Sequence, residues 1–142
     1  MILIDANILL YAEDSQSPHH SKARQWWDAQ LSGSSTICLC WTVINAFIRI
    51  GTNPRVFRHP LSIDRASRRV QDWLDQPPTR VIVPSEQHWS LLRELLIDGK
   101  ATANFVTDAH LAALAIAHGC ELQSTDSDFS RFRKLKWKNP LI

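Results

Sequence analysis

The 142-residue sequence has only 4 glycines and 7 prolines, too few for a linker-rich or collagen-like chain. No apolar run approaches the ~20 residues that a helix needs to cross a bilayer. The opening Met1-Ile2-Leu3-Ile4-Asp5 carries no basic segment, so a secretory leader is not expected and the expected location is cytoplasmic. The 3 cysteines, Cys38, Cys40 and Cys120, are odd in number, sit among apolar residues and show no CxxC or Cys/His spacing. They read as buried thiols of a reducing compartment, ahead of a disulfide or a zinc site. A large excess of one charge is missing too. With 16 Lys and Arg against 14 Asp and Glu the net charge is +2, which excludes a basic coat but leaves room for a local patch.

What is present is ordinary for a globular protein, with 44% hydrophobic and 21% charged residues, and one domain over residues 1–142 is expected. Ile2-Leu3-Ile4 reads as a strand buried on both faces, ended by Asp5. Thr36–Cys40, Arg80–Val83 and Glu121–Ser124 are three further short strands, and Lys134–Lys138 alternates like a lysine-protected edge strand. Helical spacing runs from Asn7, a plausible cap, to Ala12, then over His19–Leu31 and Trp41–Ile50. Ser62 or Asp64 opens a helix through Leu74, and Ser85 caps another that ends at Gly99 in the C′ position. A nearly all-apolar helix from about Asn104 to His118 closes at Gly119, and Asp126–Arg131 forms a short helical turn. Strands alternating with helices predict an α/β domain with a mostly parallel sheet of four to five strands and helices on both faces.

Asp5 is the unusual residue. A carboxylate at the carboxyl end of so apolar a strand lies where open α/β sheets bind ligands, and it is costly unless paired. Asp108 opens the apolar helix, while Asp126 and Asp128 follow the fourth strand. If the first and fourth strands are neighbours, all of these meet at one edge. Taken singly, Asp126 and Asp128 read as helix caps and Asp108 as a partner of the helix dipole. Together they form an all-oxygen set suited to Mg²⁺ or Mn²⁺, with phosphodiester hydrolysis as the natural chemistry.

Three stretches resemble the motifs of PIN-domain ribonucleases, especially the VapC-type toxins of VapBC toxin–antitoxin pairs. They are Ile2–Ala12, Thr107–Ala115, and Ser124–Phe129 with the later Trp137–Leu141, in matching order and spacing. The resemblance implies a Mg²⁺- or Mn²⁺-dependent endoribonuclease that forms a homodimer and is inhibited by a cognate antitoxin protein. It implies Asp5 and Asp108 as core metal ligands, Asp126 completing the site, and Asp128 supporting it or serving a second metal. Asn7 and Thr125 would orient carboxylates or water by hydrogen bonding. The family commonly has a glutamate near Asn45; an amide there brings no charge, so weaker metal binding or a single metal is expected.

Arg49, Arg55 and Arg58, with His59, are expected near the mouth, where they would neutralise RNA phosphates, although each is equally an ordinary surface residue. Trp26, Trp27, Trp73 and Trp89 are expected to be mostly packing residues, and His110 a hydrogen-bonded structural histidine. Two competing readings remain. Asn45 favours a catalytically weakened RNA- or antitoxin-binding module. A phosphatase using Asp5 as nucleophile would want a second aspartate two residues on, where Asn7 stands.

Overall fold

In the computed structural model, which describes residues 1–142, the chain runs as alternating strands and helices around one sheet. The strands are β1 (Ile2–Ile4), β2 (Ile37–Leu39), β3 (Thr79–Val81), β4 (Glu121–Gln123) and β5 (Trp137–Lys138). They lie in the order β3-β2-β1-β4-β5, and every pairing is parallel. The expected four to five strands are therefore five. β5 is shorter than the Lys134–Lys138 run, because only Trp137 and Lys138 find partners on β4.

The helices are α1 (Ala6–Glu13), α2 (His20–Leu31), α3 (Trp41–Gly51), α4 (Ile63–Asp75), α5 (His88–Asp98) and α6 (Phe105–His118). α6 is central for the reason its composition suggests: Ala109 and Leu111–Ala115 are all buried, leaving almost no solvent-facing stripe. Burying Leu111 and Leu114 alone contributes roughly 2 kcal/mol each. α4 is the opposite case, burying Ala66, Val70 and Trp73 at helical spacing and leaving Arg65 and Arg68 outside, with Arg69 half-buried against Glu13. Trp73 packs edge-on to Phe47 (4.6 Å between centroids) and Trp27 (5.7 Å), tying α4, α3 and α2 into one core. Trp89, by contrast, is 64% exposed, so the expectation of a packing role fails for that tryptophan. Cys38, Cys40 and Cys120 are free and buried.

Several helix ends differ from the sequence reading. Asp5, not Asn7, caps α1, because its carboxylate accepts from the Ala6 N–H at 2.7 Å. The N-cap of α5 is Gln87 rather than Ser85, and its side chain makes no capping hydrogen bond. Gly99 is the C-cap of α5 rather than the C′ residue expected, with a right-handed φ of −84°. Ser62 does cap α4 through the Arg65 N–H, and Gly119 does turn left-handed at φ 68°.

Strand order fixes where a site can form. The chain winds from β1 outward through β2 to β3, then returns through α6 to place β4 on the other side of β1. The winding reverses between β1 and β4, and in such sheets ligands bind beyond the carboxyl ends of the strands at that point. No helix is long and apolar enough to cross a membrane.

Candidate active site

Register brings the acidic stretches together. Ile4 pairs with Gln123, and the Asp5 N–H donates to the Gln123 carbonyl at 3.0 Å, so Asp5 and Ser124 leave the sheet side by side. The Ser124 hydroxyl donates to Asp5 Oδ2 at 2.7 Å and accepts from Asn7 Nδ2 and the Asp126 N–H, both at 3.1 Å. A hydroxyl offers one donor and two acceptor positions, and fully buried Ser124 uses all of them. Asp126 Oδ1 accepts from the Asp128 N–H at 2.9 Å and so caps the 3-10 turn Ser127–Arg131. The capping expected of Asp126 is real, but it occupies one oxygen only.

Thr125 differs from its expected role. Its hydroxyl makes no hydrogen bond, and only its backbone N–H reaches Asn7 Oδ1, at 3.5 Å. The orienting hydroxyl is Ser124, which the sequence reading passed over although it stands in the same motif. Two adjacent hydroxyl residues at a strand end offer no local signal for which one points inward; β-strand alternation past Gln123 decides it.

Charge gathers at this edge without compensation. Burial pushes the Asp5 carboxyl upward, against the Ser124 and Ala6 hydrogen bonds, and Asp126 adds to the rise. Asp108, in the first turn of α6, is pushed up to about 6 by burial and then by repulsion from Asp126, Asp5 and Asp128. Arg131 opposes this from nearby. Their mutual repulsion follows from lying near one another at the carboxyl edge of β1 and β4. None of them takes part in an ion pair; the four in the molecule are Arg24–Asp28, Arg68–Asp64, Arg69–Glu13 and Lys134–Glu94. The side chains do not close into a ready-made cage of three ligands. A Mg²⁺-like ion here would be held by one or two of these carboxylates directly and by the others through its waters.

Other expected residues stay apart. Asn45 is exposed on α3 and has no hydrogen bond to the carboxylates. α3 leaves the sheet at the end of β2 and rises ~1.5 Å per residue, which carries Arg49 about 12 Å down the helix. A Cβ on Gly51 would lie 3.7 Å from Leu10, so that end of α3 packs beside the far half of α1. Arg55 and Arg58 follow in the loop before α4 and are exposed. Arg49 lies in the last turn of α3 and Arg55 and Arg58 in the loop beyond it, none of them paired with the carboxylates; the arginine whose charge bears on Asp108 is Arg131. His110 bridges Thr42 Oγ1 at 3.2 Å and His88 Nε2 at 2.9 Å, joining α3, α6 and α5. Burial, then the neighbouring His88, holds its pKa down, so it stays a neutral structural histidine.

The PIN-domain family model matches residues 2–135. The chain is 39% identical over 140 residues to Ribonuclease VapC37 of Mycobacterium tuberculosis, spanning 99% of this chain and 97% of that one. It is 36% identical over 141 residues to Ribonuclease VapC33 of the same organism, with 99% of both chains covered. Among solved structures, VapBC2 from Rickettsia felis superposes with a TM-score of 0.68 at 19% identity, over 98% of both chains. Mycobacterium tuberculosis VapC20, a toxin that cleaves the sarcin-ricin loop, gives 0.67 at 18% identity, over 92% of this chain and 93% of that one. These two resemblances concern the fold.

Proposed function

This chain belongs to the PIN-domain family, and from that premise we propose that it is the toxin of a type II toxin–antitoxin pair, a divalent-cation-dependent endoribonuclease. The observation that carries the reading is a half-buried edge with several mutually repelling aspartates and no side-chain ion pair to any of them. Its relatives of greater than 30% identity across the whole chain are named ribonucleases.

Asp5, Asp108 and Asp126 would hold Mg²⁺ or Mn²⁺, with Asp128 at the rim of the same pocket. Such an ion lowers the pKa of a bound water and neutralises charge on a phosphoryl group. The chain's own part is to prepare the pocket. Ser124 and the Ala6 N–H fix both oxygens of Asp5, Asn7 steadies Ser124, and the cap on the 3-10 turn fixes Asp126. Locking ligands through their neighbours in this way keeps the geometry from relaxing when the charges repel.

A cognate antitoxin and a second copy of the chain are the proposed protein partners. Trp89 and Ile97, both exposed on α5 and lining one surface groove with Arg93 and Glu94, support this, since adjoining exposed apolar groups mark interaction surfaces.

The test is RNA cleavage by Asp5→Asn and Asp108→Asn in chains shown to be folded by circular dichroism. Loss of cleavage in both is expected; full activity in either contradicts the assignment. A wild-type chain that binds RNA across a metal titration without cutting it, yet cuts after Asn45→Glu, would replace this reading with the binding module.

A further inference from the structure

The joint between α5 and α6 is strained. Lys100 and Ala103 both adopt positive φ, 48° and 52°, without being glycine. Each such residue costs about 1–2 kcal/mol and persists only where its surroundings over-determine it. Here the surroundings include one side chain from a distant part of the sequence. Arg131 Nη1 donates to the Gly99 carbonyl at 3.2 Å and to the Lys100 carbonyl at 3.5 Å, on either side of the first strained residue. Its Nε donates to the Asp128 carbonyl at 3.3 Å, and its Cζ sits 3.6 Å over the Phe105 ring, at the start of α6.

Two of the segments that Arg131 joins carry the acidic pocket. Phe105 lies one turn before Asp108 on α6, and Asp126 and Asp128 belong to the 3-10 turn that ends at Arg131 itself. The guanidinium is in no ion pair; its Nε and Nη1 donate to carbonyl oxygens and its face covers the aromatic ring, while Nη2 bonds to no protein group. Packing leaves the joint little room to relax, because a Cβ on Gly99 would meet Phe132, the next residue after Arg131, at 2.8 Å.

We propose that Arg131 is a positioning residue for the cation pocket, clamping the strained α5–α6 joint to the turn after β4 and so fixing Asp108 against Asp126 and Asp128. This rests on the reading that those carboxylates hold a divalent cation. Lysine at 131 keeps the charge but cannot bridge two carbonyls while lying flat on a ring.

The experiment is Mn²⁺ binding to the metal-free full chain, followed by calorimetry and by Mn²⁺ electron paramagnetic resonance. No binding by the wild-type chain removes the underlying reading. Given wild-type binding, Arg131→Lys is expected to lose about 10–100-fold in Mn²⁺ affinity, the usual cost of removing an outer partner of a ligand. Metal-free affinity for a short single-stranded RNA should not change. Wild-type Mn²⁺ affinity in Arg131→Lys overturns the proposal, and so does weakened RNA binding with intact Mn²⁺ binding, which would make Arg131 a phosphate contact. Adding Lys100→Gly to Arg131→Lys should restore part of the loss, since glycine takes that φ freely; no recovery contradicts the clamp. If Arg131→Lys does not fold, Phe105→Leu carries the test. It removes the stacking surface alone and should weaken Mn²⁺ binding in the same direction, whereas unchanged binding overturns the proposal.

Discussion

Ser124 gives its hydroxyl hydrogen to Asp5 at 2.7 Å across a sequence separation of 119 residues, and both positions follow immediately on paired strands. The parallel pairing of β1 with β4 is thus what builds the pocket. Ser124→Ala leaves Asp5, Asn7 and the Asp126 N–H each short of a partner. Metal affinity should fall about 10–100-fold, and stability by roughly 1–3 kcal/mol. Calorimetry and urea unfolding read the two effects. Thr125→Val, next door, should leave metal affinity unchanged, because that hydroxyl bonds to nothing; equal losses in both variants would refute the assignment of Ser124.

Acidity at Asp108 has a definite sign. Its carboxyl titrates at about 6 in the fold against an ordinary 3.8, so the folded chain holds this proton more tightly than the unfolded one. The contribution to stability is full below about pH 4 and is lost as pH rises through about 6. In the metal-free chain, the part of the melting-temperature decline across that window that vanishes in Asp108→Asn measures it. Mn²⁺ competes with the same proton, so its affinity should rise from pH 5 to pH 7. Equal Mn²⁺ affinity at both values would contradict the shared pocket.

Arg49, Arg55 and Arg58 lie in the last turn of α3 and the loop beyond it, with no ion pair to the carboxylates. Changing all three to glutamine should leave Mn²⁺ affinity and the cleavage rate of a short RNA unaltered. A large fall in either would mean that the loop folds back over the pocket.

Gly119 closes α6 at φ 68°, with open space where a Cβ would go. Gly119→Ala should therefore cost about 1 kcal/mol through backbone strain alone. Gly119→Asn should cost less, since asparagine tolerates that conformation better. Urea unfolding distinguishes the two.

Much of this architecture was legible because each signal was local. Ile2-Leu3-Ile4-Asp5 announces a buried strand with a misplaced charge, and the apolar Leu111–Ala115 run announces a central helix. The aspartates were legible as odd residues in apolar company. Roles set by packing between distant segments were not. Ser124 and Thr125 look alike until β4 is paired with β1, and Arg131 looks like part of a basic tail until the α5–α6 joint lies against it. Asn7 resembled the cap of α1 because the sequence could not show that Asp5 both ends β1 and accepts from Ala6.

The central claim is that these carboxylates work through a divalent cation on RNA. It is tested most directly by stripping the purified chain with EDTA and following RNA cleavage as Mn²⁺ or Mg²⁺ is returned. The account predicts no cleavage in EDTA and recovery that tracks the returned metal. Cleavage that proceeds unchanged in EDTA would contradict it.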